Sequence, residues 1–255
     1  VKDQPEASDG GLVETAFSHA GAVAHICLNR PRSANSLNVE MVEALLAGLQ
    51  QCLDSGAELI VLRGHGSTLC GGFDLKGLDE ESDASLAYRF LRLETLLQKI
   101  HYAPCQTLVY AQGPVMGAGA DLMAACRVRF AAEGACFRFP GIRFGILLGT
   151  NRLASLIGDR AYRVVIEQQR INAAKAVDLG LVHQVMDEGE LDEAIARQYE
   201  SLTRIPSETR ARLFRRDGLQ ADADMGILAR TVAEPGLKNR MQDYWASVRQ
   251  LAARS

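Results

Sequence analysis

Two apolar runs each end in a glycine-rich corner, and this pairing constrains the fold more than any other feature of the chain. The first run, Leu59-Ile60-Val61-Leu62, leads to Cys70-Gly71-Gly72-Phe73-Asp74-Leu75. The second, Thr107-Leu108-Val109-Tyr110, leads to Gly113-Pro114-Val115-Met116-Gly117-Ala118-Gly119-Ala120-Asp121. Short apolar runs bounded by turn residues read as buried strands. The second corner continues into a helical stretch over 121–126. Glycine at such a corner lets the backbone approach a ligand and leaves N–H groups pointing outward. Two corners can aim one N–H each at a single oxygen, which is how main chain builds an oxyanion hole.

The surrounding pattern alternates strands with helices. Residues 12–19 and 22–28 are β-prone and separated by Ala20-Gly21, so they read as a hairpin. Asn38 caps a helix with apolar Val39, Val42, Leu45, Leu46 and Leu49, ending near Gly56. A long helix spans 83–100, with Leu86, Phe90, Leu93, Leu97 and Ile100 on its apolar face. Strands are expected at 59–62, 106–111, 127–131, 136–139 and 181–185. Helices are expected at 152–157, 161–168, 173–179, 191–202, 207–216 and 237–253. The pattern predicts an α/β protein with a largely parallel sheet and helical cover. Residues 12–200 form the expected core. Residues 201–255 form a helical region packing on that core or on a neighbouring subunit.

Composition excludes several classes. A net charge of −3 argues against a nucleic-acid binder. The basic cluster Arg210, Arg212, Arg215 and Arg216 reads as a solvated helix face. Cysteines at 27, 52, 70, 105, 126 and 136 show no metal-binding spacing, and several lie in apolar runs. They read as reduced thiols of a cytoplasmic protein. No apolar run is long enough for a membrane span. Residues 1–11 are polar and read as a loose tail rather than a signal peptide.

Four segments, in order and at matching spacing, resemble the crotonase superfamily, also called the enoyl-CoA hydratase/isomerase family. Residues 28–37 are similar to its LNRPxxxNAL segment, and 70–76 to its CAGADLK loop. Residues 113–121 are similar to GxxxGGGxE, and 171–182 to ISAxEAxxxGLV. The resemblance implies a crotonase-like spiral of ββα units followed by a C-terminal helical trimerisation region. It implies binding of an acyl-CoA thioester, with CoA as part of the substrate and no separate cofactor or metal. It implies a homotrimer or hexamer.

By motif position, the resemblance makes the N–H groups of Phe73 and Ala118 the oxyanion donors. It assigns CoA contacts to Arg32, Ser33, Gly72, Phe73, Asp74, Leu75, Lys76 and Gly117, with Lys238 as a cation for CoA phosphates. Phe73 replaces a small residue, and its ring would crowd the acyl pocket or shield it from water.

Family hydratases use two glutamates as acid and base. Asp121 stands at the first position, its carboxylate about 1.5 Å further back for want of one methylene. It reads as the base, or as a cap of the helix it opens. Gly141 stands at the second position and cannot transfer a proton, and the loop after it is shortened, with Leu147 and Leu148 there. These departures favour isomerase, decarboxylase or hydrolase chemistry over two-glutamate hydration. A hydratase of reduced efficiency and a catalytically inactive CoA-binding scaffold are the alternatives. Arg138 and Arg143 would suit a substrate carboxylate, but pairing with Glu133 or a surface position is the favoured reading. His65 and His101 read as surface or satisfied histidines. Asp79, Glu80, Glu81 and Asp83 read as a mobile, solvated loop.

Overall fold

The computed structural model describes residues 11–214 and 219–252. Residues 1–10, and Arg215 and Arg216 of the basic cluster, lie outside the described residues.

The hairpin forms as expected. β1 (Val13–Ser18) pairs antiparallel with β2 (Val23–Leu28). Helix α1 (Val39–Asp54) follows, and the Asn38 side chain accepts a hydrogen bond from the Met41 N–H at 3.0 Å. That bond satisfies one of the free donors of the first turn. β3 (Leu59–Gly64) lies parallel to β2, and α2 (Asp83–His101) begins with a Ser82–Ser85 capping box. β4 (Gln106–Ala111) then joins β3 in parallel.

β5 (Pro114–Met116) and α3 (Ala118–Ala125) form the second glycine corner. β6 (Val128–Ala131) returns to the large sheet, while β7 (Cys136–Arg138) pairs parallel with β5. The rest is mostly helical: α4 (Thr150–Ile157), α5 (Arg160–Ile166), α6 (Ala173–Leu179), α7 (Leu191–Thr203), α8 (Ser207–Phe214), α9 (Leu219–Ala233) and α10 (Leu237–Ala252). Two short strands interrupt it. β8 (Ile171–Asn172) joins β7, and β9 (Gln184–Val185) joins β6. The large sheet runs β1-β2-β3-β4-β6-β9 and the small one β5-β7-β8.

Period-two alternation sends each buried strand to two cores. On β3, Ile60 and Leu62 face α1, α2 and α3, whereas Leu59 and Val61 pack with Met186, Leu191, Ile195, Leu202 and Phe214. Being covered on both faces explains why the strand reads as an unbroken apolar run. All six cysteines are free and buried. No helix among the described residues is long and apolar enough to cross a membrane.

Three elements differ from the sequence expectation. β5 and β8 are too short to show a periodic signal, and α9 has a weak apolar face. Helix α9 packs on α2, where Gln98 Nε2 donates to the Ala221 carbonyl at 2.8 Å. Helix α10 is moored by Asp83, whose carboxylate accepts from the N–H groups of Gly236 and Lys238. The acidic run is therefore a built junction. Glu81 pairs with Arg89, and Asp79 accepts from Lys238 Nζ and Gln242.

The two glycine corners meet. Met116 N–H donates to the Cys70 carbonyl at 3.2 Å. A Cβ on Gly119 would overlap that same carbonyl oxygen, and a Cβ on Gly72, which has φ +96°, would overlap the Met116 oxygen. In an unobstructed helix, alanine is better than glycine by about 1 kcal/mol. At Gly119 the sign reverses. Gly119→Ala is expected to lower unfolding stability by ~1–3 kcal/mol, read from urea denaturation. An unchanged or higher midpoint would show that the corners do not need this approach.

Candidate active site

A cavity of about 330 Å³ opens where the corners meet. Gly71, Gly72, Phe73 and Leu75 line it from the first corner, and Met116, Gly117, Ala118 and Asp121 from the second. Pro140, Gly141, Phe144, Ile146 and Leu148 supply another wall, and Met241, Tyr244, Trp245 and Val248 of α10 supply a further one. Phe90 and Arg138 complete it.

Local pairing explains why two backbone donors are left over. Phe73 forms a single parallel bridge with Leu37. The bridge uses the N–H groups of Leu37 and Asp74, bonded to the carbonyls of Gly72 and Leu37. The Phe73 N–H faces the opposite side of that strand. Ala118 is the first residue of α3, so its N–H has no intrahelical acceptor. Neither N–H meets a protein acceptor among the described residues, and both residues line the same cavity.

Asp121 is not the helix cap. Gly117 occupies that position and α3 starts at Ala118, so Asp121 sits in the first turn with its N–H donating to the Gly117 carbonyl. Its carboxyl is buried on the cavity wall, against Gly149. Burial pushes its pKa up to about 8; Arg152 opposes this and Glu94 reinforces it. Arg152 relieves little of the burial because its charge is already engaged. It bonds both oxygens of Glu94, at 2.8 and 2.5 Å, and reaches Asp224 at 3.3 Å. All three groups are buried.

Gly141 lines the cavity where the family's second glutamate was expected, so Asp121 is its only carboxylate among the described residues. A smaller space of about 20 Å³ shares Asp121, Gly141, Ile146 and Leu148 with the cavity and reaches Thr150. It is large enough for one water. The Phe73 ring stacks on Phe90, with centroids 4.5 Å apart, and the Arg89 guanidinium lies 4.1 Å from its centre. Arg89 also bonds Glu81 and the Asp74 carbonyl, fixing the segment after the first corner.

The structure thus brings Gly72, Phe73, Leu75, Gly117, Ala118 and Asp121 to one cavity. Asp74 turns away and binds Arg30 at 2.6 Å. Lys76 and Arg32 are exposed, and Ser33 does not line the cavity. The Lys238 ammonium is held by the Asp79 carbonyl at 2.6 Å. Arg143 is exposed, whereas Arg138 is half-buried, lines the cavity with its Nε buried, and is not paired with Glu133 as one of the expected readings had it. His65 pairs with Glu14, and His101 is away from the cavity. Arg210 of the basic cluster is engaged with Glu58.

Sequence reasoning missed the Arg152–Glu94–Asp224 group and the α10 wall. Glu94 did carry a signal: it lies four residues after Phe90 and three before Leu97, on the apolar face of α2.

The mixed α/β architecture with its largely parallel sheet is that of the crotonase fold. The Enoyl-CoA hydratase/isomerase family model matches residues 18–239. A probable enoyl-CoA hydratase of Mycobacterium bovis, echA6, is 33% identical over 173 residues, covering 66% of this chain and 69% of that protein. A solved structure from Bordetella parapertussis, assigned to the enoyl-CoA hydratase/isomerases, is 34% identical with a TM-score of 0.88; the match covers 93% of this chain and 99% of that one. A protein of Thermobifida fusca solved in complex with acetoacetyl-CoA shares the fold at 23% identity and a TM-score of 0.70, over 85% and 92% of the two chains. The chain belongs to the enoyl-CoA hydratase/isomerase family, an enzyme family within the crotonase superfamily.

Because the folded Asp121 carboxyl holds its proton more tightly than an unfolded one, stability falls as pH rises from the ordinary 3.8 through about 8. The slope contributed is at most ~1.4 kcal/mol per pH unit. Asp121→Asn removes it, so melting curves should show the variant gaining on the wild type between pH 5 and 9. A constant difference across that range would exclude a raised Asp121.

Proposed function

We propose that this protein is an acyl-CoA enzyme that holds the thioester carbonyl with the N–H groups of Phe73 and Ala118 and moves one proton with Asp121. The observation that carries this reading is the convergence of two unpaired backbone donors and a single carboxyl on one cavity. Donors aimed at an oxygen that gains charge stabilise an enolate more than its parent thioester.

One carboxyl suits double-bond isomerisation. The Asp121 carboxylate removes a proton from C2 of a 3-enoyl thioester, and the electron pair of the C–H bond moves into an enolate held by the two N–H groups. Return of the negative charge through the conjugated chain forms the C2–C3 double bond. The same carboxyl then delivers the proton to C4. No water enters and none leaves, which agrees with the apolar walls Ile146, Leu148 and Phe144. Decarboxylation or thioester hydrolysis would use the same oxygen site with different proton traffic. A second reading, hydration with a single carboxyl, draws support from the water-sized space beside Asp121.

The CoA moiety is proposed to follow the first corner past Leu75. A second depression, of about 250 Å³, shares Leu75 and Trp245 with the cavity. Self-association as a trimer or hexamer is part of the proposal. Ile142, Tyr162 and Ile166, which are 37%, 55% and 67% exposed, offer an apolar surface for it. A cytoplasmic setting agrees with the six free, buried cysteines.

The test follows the absorbance of the conjugated enoyl thioester. A rise with 3-enoyl-CoA is expected, with kcat/KM increasing as pH approaches 8, since the base must first be ionised. Asp121→Asn should lower this turnover by ~100-fold or more. Loss of crotonyl-CoA absorbance instead would identify hydration. Turnover unaffected by Asp121→Asn would remove Asp121 from the mechanism. Thioester binding without turnover of either substrate would favour the scaffold.

A further inference from the structure

The cavity contains a cation that the proposed reaction does not use. Arg138 ends β7 and lines the cavity together with Tyr244 of α10. Its Nε is buried without an acceptor, and its guanidinium forms no ion pair among the described residues. The buried guanidinium groups elsewhere are engaged. Arg89 holds Glu81, Arg152 holds Glu94, and Arg129 donates to the carbonyls of Leu181 and Cys126. Glu133, the nearest acid in sequence, is exposed and unbonded to Arg138, and the charges acting on Asp121 are Arg152 and Glu94.

Tyr244 supplies the second group. Its phenol is pushed up by burial and drawn back by Arg138 and Arg143, so Arg138 lies within electrostatic reach of the hydroxyl. The Tyr244 hydroxyl forms no hydrogen bond among the described residues, and its ring is held against Phe144 at 5.2 Å.

We propose that Arg138 and Tyr244 form a clamp for a carboxylate on the acyl chain, making the substrate the CoA thioester of a short dicarboxylic acid. The inference rests on the acyl-CoA reading and adds the substrate class to it. Its physical basis is what filling the cavity does to Arg138. A neutral acyl chain would expel water and leave a guanidinium desolvated and unpaired, which is unfavourable. A carboxylate replaces that water with two charge-assisted hydrogen bonds in the planar fork geometry that guanidinium matches. Selection by an otherwise unpaired polar group is stronger than selection by apolar shape. A short chain is proposed because the Arg138 backbone lies beside the second corner, its carbonyl accepting from the Gly117 N–H at 2.8 Å, so the clamp and the Ala118 donor start from adjoining segments of one cavity.

Calorimetric titration with succinyl-CoA and butyryl-CoA, matched in chain length, tests this on the intact protein. The wild type is expected to bind succinyl-CoA at least ~10-fold more tightly. In Arg138→Gln that ratio should fall toward one, and in Tyr244→Phe it should fall ~3–10-fold. Both thioesters carry the same CoA phosphates, so an Arg138 that served the phosphates would lower both affinities together and overturn the assignment. Equal binding of the two by the wild type overturns it too, without reference to any variant, and leaves the acyl-CoA reading intact. Failure of both to bind overturns the acyl-CoA reading and this inference with it.

Discussion

The contact on which the site depends is the one between the two glycine corners. The Met116–Cys70 hydrogen bond joins segments that arrive from different strands of the large sheet, and Gly72 and Gly119 allow a separation that side chains would forbid. This approach puts the first residue of α3 beside the segment that carries Phe73. Each corner alone would leave an unpaired N–H at the end of a strand or helix. Only their contact puts both donors on one cavity.

The electrostatics follow from that packing. Asp121 lies in the first turn of α3, and its carboxyl is buried against Gly149, which precedes α4. The nearby guanidinium of Arg152 could have kept Asp121 ionised, but it is committed to Glu94 and Asp224. The result is a carboxyl pushed up to about 8 by burial, which is what the proposed proton transfer asks of it. Charge is distributed unevenly around the cavity. Asp121 lies near the buried group on α2, α4 and α9, whereas Arg138 lines the cavity with Tyr244 of α10 and its side chain forms no hydrogen bond or ion pair among the described residues.

Local signals made much of this visible in the chain. The apolar runs at 59–62 and 106–111 marked strands covered on both faces, and Asn38 and the Phe90–Leu97 spacing marked α1 and α2. The glycine spacing marked the corners, and the Gly141 position showed that a second carboxylate was missing from the cavity wall. What local signals could not reveal were contacts between distant segments. The acidic run at 79–83 read as free loop because its partners, Arg89, Lys238 and Gln242, are remote in sequence or hidden in helical pattern. Arg138 read as a surface or paired residue because nothing near it in sequence says that β7 borders a cavity closed by α10.

The sequence by itself determined the strand–corner–helix order, the family and the loss of one acid, because backbone conformation and side-chain identity are local properties. Tertiary structure alone decided which N–H groups remain unpaired, how far Asp121 is pushed toward neutrality and where the unpartnered Arg138 points. Each of those depends on burial and on charges brought together across the fold, and neither burial nor proximity is encoded at a single position.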